Sequence, residues 1–213
     1  MNTYDYIINK YKITVGRQYI IEIPKMDSID LAHLFGELNL TKGAEIGVYW
    51  GEYSEILCRE NPKLELKSID PYLASAYYKG QGVNEQQEYF DNLYERAKTK
   101  LAPYNCTIVR KTSAEALNDF EDNSLDFVYI DANHDFPNFV FDLHNWLKKV
   151  KVGGIISGHD YVYMSYRRFH HVKRALIAYA RSYRMIPLFI CGDTDQGTKL
   201  KRDHFRSWFW VKT

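Results

Sequence analysis

The stretch AEIGVYWG, residues 44–51, decides the fold, because an apolar run of strand character leads there into a turn with two glycines. The residues after it, 52–60, read as a helix, so the stretch predicts a strand, a tight turn and a helix in succession. A dinucleotide site needs glycine in the middle of this turn, where the missing side chain admits a pyrophosphate. Tyr49 stands there instead, and the lysine of a P-loop is absent too. The turn therefore favours a nucleoside ligand without phosphate.

Outward from this turn, short runs rich in Ile and Val alternate with helical patterns. The predicted strands are residues 44–48, 64–69, 106–109, 125–130, 152–157, 186–191 and 205–211. Because parallel strands need crossover connections, strand–helix alternation predicts a parallel sheet with helices on both faces. No helix separates the last two strands, so an antiparallel hairpin is expected at one edge of the sheet. The predicted fold class is α/β, a Rossmann-like doubly wound sheet of seven strands.

The residues before the first core strand are predicted as a separate N-terminal helical extension, residues 1–40. It contains a helix near residues 28–39, with Asp27 or Ser28 as the N-cap. Residues 41–213 are predicted as the main domain, since no repeat, low-complexity tract or Pro/Gly-rich linker divides them. Ligands of such sheets bind beyond the carboxyl ends of the strands, so the functional residues are expected there.

The composition is that of a globular protein of 213 residues, with 28 Lys and Arg against 27 Asp and Glu. Three scattered cysteines make no disulfide framework, the N-terminus is too polar for a signal peptide, and no run is long enough to cross a membrane. A cytoplasmic protein without membrane association is expected. The charge is uneven, since eleven basic side chains stand against three acidic ones from Tyr161 onward. This basic quarter indicates an anionic substrate, a nucleic acid, or simply a solvated helix.

Asp70 ends the second predicted strand, and Pro71 stops that strand directly after it. An acid at this place, a little over twenty residues beyond Gly47, can accept hydrogen bonds from both hydroxyls of a ribose. The alternative is an ordinary strand-end aspartate that caps the next turn. Together with the glycine turn, the ribose role is favoured.

Four strand-end signatures now stand in order: E-x-G-x-x-x-G at residues 45–51, the acid at Asp70, YIDANHDF at residues 129–136, and VGGIISGHD at residues 152–160. In this arrangement the chain resembles the class I S-adenosylmethionine-dependent methyltransferases. It is most similar to a branch that includes small-molecule and sugar O-methyltransferases, and the match extends over residues 42–161.

The resemblance implies S-adenosylmethionine as the cofactor. The residues it assigns to the cofactor site are Glu45, Gly47, Gly51, Asp70, Ser113, Ala114 and Asp131. The glutamate and first glycine would meet the methionine part, and Gly51 would allow close helix packing. Ser113 and Ala114 would meet the adenine, and Asp131 would lie beneath the sulfonium. Tyr49 flanks the same pocket, where an aromatic face attracts a sulfonium as it attracts other cations.

Methyl transfer to a hydroxyl needs a general base or a divalent metal that lowers the hydroxyl's pKa. The catalytic candidates are Asp131, His134 and, in reserve, His159, because an imidazole titrates near neutrality. Asp131 and Asp160 are the candidate ligands for Mg²⁺ or another divalent cation, as in the similar catechol-type enzymes. Those enzymes have an amide side chain where Tyr161 stands here, so metal-dependent and metal-free chemistry both stay open.

The resulting hypothesis is O-methylation of a small polar acceptor, sugar-like or anionic. Residues 72–84, with Tyr77 and Tyr78, are expected as a lid, and residues 163–171 as a second rim whose arginines could grip a phosphate or carboxylate. Methylation of RNA or protein and a non-catalytic nucleoside-binding role are the alternatives. A nucleic-acid partner is not expected, because no RNA-binding appendage is recognisable, and a homo-oligomer is compatible with the sequence.

Overall fold

The computed structural model describes residues 1–16, 18–74, 86–162, 171–192 and 205–213. In chain order the elements are α1 (Thr3–Lys10), β1 (Ile20–Ile23), α2 (Ser28–Glu37), β2 (Lys42–Ile46), α3 (Glu52–Glu60), β3 (Glu65–Ile69), α4 (Gln87–Leu101), β4 (Cys106–Val109), α5 (Ser113–Ala116), β5 (Leu125–Ile130), α6 (Phe136–Lys149), β6 (Val150–Gly158), α7 (His171–Tyr183), β7 (Leu188–Cys191) and β8 (Trp208–Val211). None of the helices in the described ranges combines the length and apolar character that crossing a bilayer requires.

The strands form one sheet in the order β1-β7-β8-β6-β5-β2-β3-β4. All neighbours are parallel except β8, which runs antiparallel to both β6 and β7. The predicted α/β fold class, with a mostly parallel sheet and an antiparallel pair at the C-terminus, is confirmed. The predicted number of seven strands is wrong, since the described residues contain eight.

The additional strand, β1, comes from the segment that was predicted to be helical. It pairs in parallel with β7 from Ile20 opposite Leu188 to Ile23 opposite Cys191. The β7–β8 pair was predicted at an edge, and this placement is wrong too, because β1 covers the outer side of β7. An unpaired strand edge leaves backbone groups without partners, and β1 satisfies those of β7.

Residues 1–40 contribute to the core as well as to the sheet. Ile7, Leu31 and Phe35 are fully buried, and the Phe35 ring stacks on Phe127 of the central strand β5 at 4.3 Å between centroids. At the start of α2, Asp27 completes a capping box with Asp30, so the N-cap is Asp27. The helical extension of the sequence prediction is therefore a pair of helices with an edge strand between them.

Two apolar layers pack against the sheet, one on each face. Strands β2, β3, β5 and β6 are parallel neighbours in the middle of the sheet, so their carboxyl ends meet at one rim. These ends are Ile46, Ile69, Ile130 and Gly158. Each is followed by one of the candidate site segments, which the sheet therefore brings together.

Candidate active site

The turn after β2 lies against the end of β5. Gly47 has φ +91°, and a Cβ placed on it would lie 2.0 Å from the Asp131 carbonyl oxygen and 2.8 Å from the Ala132 Cα. Only glycine combines that backbone conformation with so close an approach. The Asp131 amide donates to the Ile46 carbonyl at 2.8 Å, which joins the two strand ends below the turn.

The second glycine of the turn, Gly51, has φ +79° and is the N-cap of α3. A Cβ at this position would lie 3.2 Å from Leu101 of α4, so the residue sits at a tight helix contact. Tyr49 also has a positive φ, +53°, and its side chain is 47% exposed. Its hydroxyl shares a 2.7 Å hydrogen bond with Tyr89, and its ring tilts against Trp50. Tyr49 thus stands at the middle position of the turn, and its hydroxyl is directed to Tyr89 of α4.

Asp70 follows β3 and holds the turn. Its Oδ2 accepts hydrogen bonds from the amides of Val48 and Tyr49 at 2.9 and 3.1 Å, and its Oδ1 accepts one from the Tyr72 amide at 2.9 Å. A carboxylate offers about four acceptor positions. The capping role that the sequence left as an alternative is therefore present, and the carboxylate keeps capacity for a ligand donor.

Glu45 lies beneath the turn and is fully buried within β2. Its Oε2 accepts hydrogen bonds from Ser54 of α3 and from Ser68 of β3. Burial raises the pKa of the Glu45 carboxyl well above its ordinary value, and the two serine hydroxyls oppose this only in part. These hydrogen bonds hold the Glu45 side chain in one orientation below the turn.

The wall opposite the turn is built by α5 and α6. The Ser113 hydroxyl donates to Asp142 Oδ1 and accepts from Trp146 Nε1 at 2.8 Å, so this side chain is engaged on both sides. Burial raises the pKa of Asp142 to about 6. Asp142 was missed by the sequence prediction. An acid between Phe139 and Trp146 on the buried stripe of a helix was the signal that could have revealed it.

These segments enclose a cavity of about 680 Å³. Glu45, Gly47, Tyr49, Asp70, Ser113, Ala114 and Asp131 all line it; Gly51 does not. Among the described residues of its lining, five carry carboxyl groups and none is a lysine, an arginine or a histidine. The five are Glu45, Glu52, Asp70, Asp131 and Asp142. Such a lining disfavours phosphate and favours a ligand that carries positive charge.

Next to the cavity, Asp131, His134 and Asp160 converge from the ends of β5 and β6. His134 Nε2 lies 3.2 Å from Asp131 Oδ1 and 2.6 Å from Asp160 Oδ2. One possible ligand atom of each residue lies within 4.8 Å of the others. Burial opposes a charge on His134, but the two carboxylates together raise its pKa to about 10. Asp160 is only partly buried, and although desolvation opposes its charge, His134 and His159 hold its pKa below the usual range.

Two further candidates of the sequence analysis, His159 and Tyr161, lie next to Asp160 in the chain. His159 Nδ1 lies 3.6 Å from Asp160 Oδ2, and its backbone is fixed by Ile130 and Trp208. Tyr161 is buried and does not join the cluster; its ring lies below the Lys173 ammonium, 4.8 Å from the centroid.

Three features of the sequence hypothesis lie mostly or wholly outside the described residues. They are Tyr77 and Tyr78, the lid beyond residue 74, and the arginines of residues 163–170. Tyr72, at the start of the expected lid, is described and is buried in a small apolar cluster with Phe90 and Leu93.

Comparison with known proteins identifies the type of domain. Residues 44–161, more than half of the chain, match the family described as a methyltransferase domain. The chain belongs to this family. Together with the doubly wound sheet, the match makes the chain a class I S-adenosylmethionine-dependent methyltransferase.

Solved methyltransferase structures share the fold at low sequence identity. The O-methyltransferase from Bacillus cereus in complex with SAH is 14% identical, with a TM-score of 0.60 over 99% of this chain and 87% of that one. TomG from Streptomyces achromogenes, an O-methyltransferase involved in tomaymycin synthesis and solved with SAM, is also 14% identical, with a TM-score of 0.59 over 100% and 97% of the chains.

In sequence, an uncharacterized protein of Sinorhizobium fredii, y4gI, is 30% identical over 82 residues. That alignment covers 38% of this chain and 9% of the relative, so the chain spans a small part of that protein.

Proposed function

We propose that this methyltransferase transfers the methyl group to a hydroxyl oxygen of a small polar acceptor. The observation that carries the proposal is the acidic cavity, which adjoins the Asp131–His134–Asp160 cluster and shares Asp131 with it. A cavity with five carboxyl groups suits a donor with a cationic sulfur, and a cluster of titratable groups beside it suits proton removal.

The cavity fits S-adenosylmethionine by its chemistry and its size. When bound, this cofactor supplies an electrophilic methyl group on a positively charged sulfur. Asp70 would accept hydrogen bonds from the ribose, and Glu45 and the Gly47 turn would surround the methionine part. Tyr49 stands at the middle position of the turn, where a dinucleotide site has glycine, which disfavours the dinucleotides that other sheets of this kind bind.

Proton removal from the acceptor is assigned to Asp131. His134 was the first candidate for the base, but an imidazole whose pKa is about 10 is protonated at neutral pH and has no lone pair to offer. As an imidazolium it orients Asp131 and balances the charge of Asp160 through its Nε2 contacts with both. Asp131 also lines the cavity, so its carboxylate would be within reach of an acceptor that binds beside the methyl donor.

The same three side chains fit a divalent cation, because two carboxylates and an imidazole are a usual donor set. Asp131, His134 and Asp160 would hold the ion, and His134 would have to lose its proton first. A bound cation would lower the pKa of a coordinated hydroxyl. The acceptor is proposed to be sugar-like, from the resemblance in the sequence, or anionic, from the basic residues of the C-terminal quarter.

The test is transfer of a labelled methyl group from S-adenosylmethionine to a panel of sugars, phenols and hydroxy acids, with and without EDTA. We expect transfer to one hydroxyl class, and loss of at least about 100-fold in Asp131→Asn, which removes the general base. Asp135→Asn is the matched control, since Asp135 caps α6 and an asparagine caps equally well. Transfer to RNA or protein but to no small hydroxyl compound would contradict the proposal. Cofactor binding without any transfer would indicate a nucleoside-binding protein.

A further inference from the structure

Asp142 is a buried carboxylate at the cavity wall with one oxygen engaged. The side chain lies on α6, is 4% exposed and lines the cavity. Its Oδ1 accepts the hydroxyl hydrogen bond of Ser113, which in turn accepts a hydrogen bond from Trp146 Nε1. This chain of contacts fixes the orientation of the carboxylate.

The other oxygen, Oδ2, has no hydrogen-bond partner within the described part of the chain. Oδ2 is not among the fully buried polar atoms without a partner, so it keeps accessible surface, and the side chain lines the cavity. The raised pKa of Asp142 agrees with the absence of a cationic neighbour, because its only stabilising contact is the Ser113 hydroxyl. Since Asp142 lines the cavity, a ligand can supply the missing donor.

The position of Asp142 relative to Asp70 indicates which part of the ligand it meets. In the sheet, β3 lies between β2 and β4, so the segment after β4 is on the far side of Asp70 from the Gly47 turn. Ser113, which begins α5 after β4, holds Asp142 at that side. A nucleoside whose ribose is at Asp70 and whose remaining substituent points to Gly47 therefore has its base at this wall.

We propose that Asp142 accepts a hydrogen bond from the exocyclic amine of the adenine ring and so makes the site select adenosyl over inosyl ligands. The inference rests on the proposed binding of S-adenosylmethionine in this cavity. An ionised carboxylate is a stronger acceptor than the Ser113 hydroxyl, which already donates to Asp142 and accepts from Trp146. Ser113 and Trp146 are positioning residues, and Asp142 determines the specificity.

Recognition of the adenine amine by Asp142 would make the site discriminate between adenine and hypoxanthine, which a purely structural role of Asp142 would not do. An ionised carboxylate is only an acceptor, so it pairs with the amine of adenine. In hypoxanthine a carbonyl oxygen replaces that amine, and two acceptors then face each other. A site built around one such hydrogen bond rejects the analogue that lacks the donor.

The test compares S-adenosylhomocysteine with its deaminated analogue, S-inosylhomocysteine, by isothermal titration calorimetry at pH 8. The wild-type protein is expected to prefer the adenosyl compound by about 10- to 100-fold, the range for one hydrogen bond to a charged group. In Asp142→Asn the amide can accept from Ser113 and offer its NH₂ to the ligand. The adenosyl compound should then bind at least about tenfold more weakly, while the inosyl compound binds as before or better.

The matched control is Asp122→Asn, which removes an exposed carboxylate paired with Lys149 outside the cavity and should leave both affinities unchanged. Equal weakening of both ligands in Asp142→Asn would show a structural role and overturn the inference. The wild-type ratio needs no variant, and a value near one would overturn it as well. In both cases the methyltransferase assignment stands, whereas failure of the wild-type protein to bind either compound would remove the proposed cofactor site itself.

Discussion

Replacing Gly47 by alanine tests the close approach on which the site depends. The new Cβ would lie 2.0 Å from the Asp131 carbonyl oxygen and 2.6 Å from its carbon, and both are backbone atoms that no side-chain rotation can move away. The positive φ adds strain of about 1–2 kcal/mol for any residue with a Cβ. Displacing packed atoms costs about 1–3 kcal/mol more, so Gly47→Ala should lower the free energy of unfolding by about 2–5 kcal/mol.

Gly153→Ala is the control that separates strain from steric overlap. Gly153 has a similar φ of +81°, but a Cβ there would meet nothing closer than Thr3 Oγ1 at 4.0 Å. This variant should lose only the strain, about 1–2 kcal/mol. Urea denaturation of both variants gives the comparison. A Gly47→Ala protein within about 0.5 kcal/mol of Gly153→Ala, a difference set by the error of such measurements, would refute the packing of the turn on β5.

Three other predictions concern the titration of Asp142, metal binding by the Asp131–His134–Asp160 cluster and the buried hydroxyl of Tyr72. Because burial raises the pKa of Asp142 from 3.8 to about 6, its carboxyl binds its proton more tightly in the folded state. Asp142 should therefore contribute a fall of about 3 kcal/mol in the free energy of unfolding as the pH rises from about 4 to 7, seen as the difference between the wild type and Asp142→Asn in pH-dependent urea titrations. If a cation occupies the cluster, Asp131→Asn and Asp160→Asn should each weaken Mn²⁺ binding at least about tenfold in calorimetry, whereas unchanged binding would place the ion elsewhere. The Tyr72 hydroxyl is buried without a hydrogen-bond partner among the described residues, so Tyr72→Phe should keep or raise the melting temperature; a loss of more than about 1 kcal/mol would reveal a missing partner.

The fold was largely predictable because the strands are short apolar runs with turn residues between them. The bounds of β4 and β5 agree with the prediction to the residue, since Cys106–Val109 and Leu125–Ile130 are flanked by polar residues. The strand β1 was missed because Ile20–Ile23 lies among polar residues and its partner, β7, is more than 160 positions away. A local pattern cannot reveal a pairing that tertiary structure decides.

The site was predictable only where its residues directly follow strands. Glu45, Asp70, Asp131 and Asp160 lie within or just after β2, β3, β5 and β6, where the topology of a parallel sheet brings side chains together. Asp142 is on helix α6, and its place in the cavity wall depends on how that helix packs, which the sequence does not show. The charge of His134 could not be read from sequence either, because it depends on the 2.6 Å contact with Asp160.

The most direct test of the account is a crystal structure of the protein with S-adenosylhomocysteine. We expect the ribose hydroxyls to lie within hydrogen-bond distance of the Asp70 carboxylate, with the homocysteine chain toward Gly47. A nucleoside whose sugar lies away from Asp70, or a Tyr49 ring that has moved to admit the ligand into the middle of the turn, would contradict it.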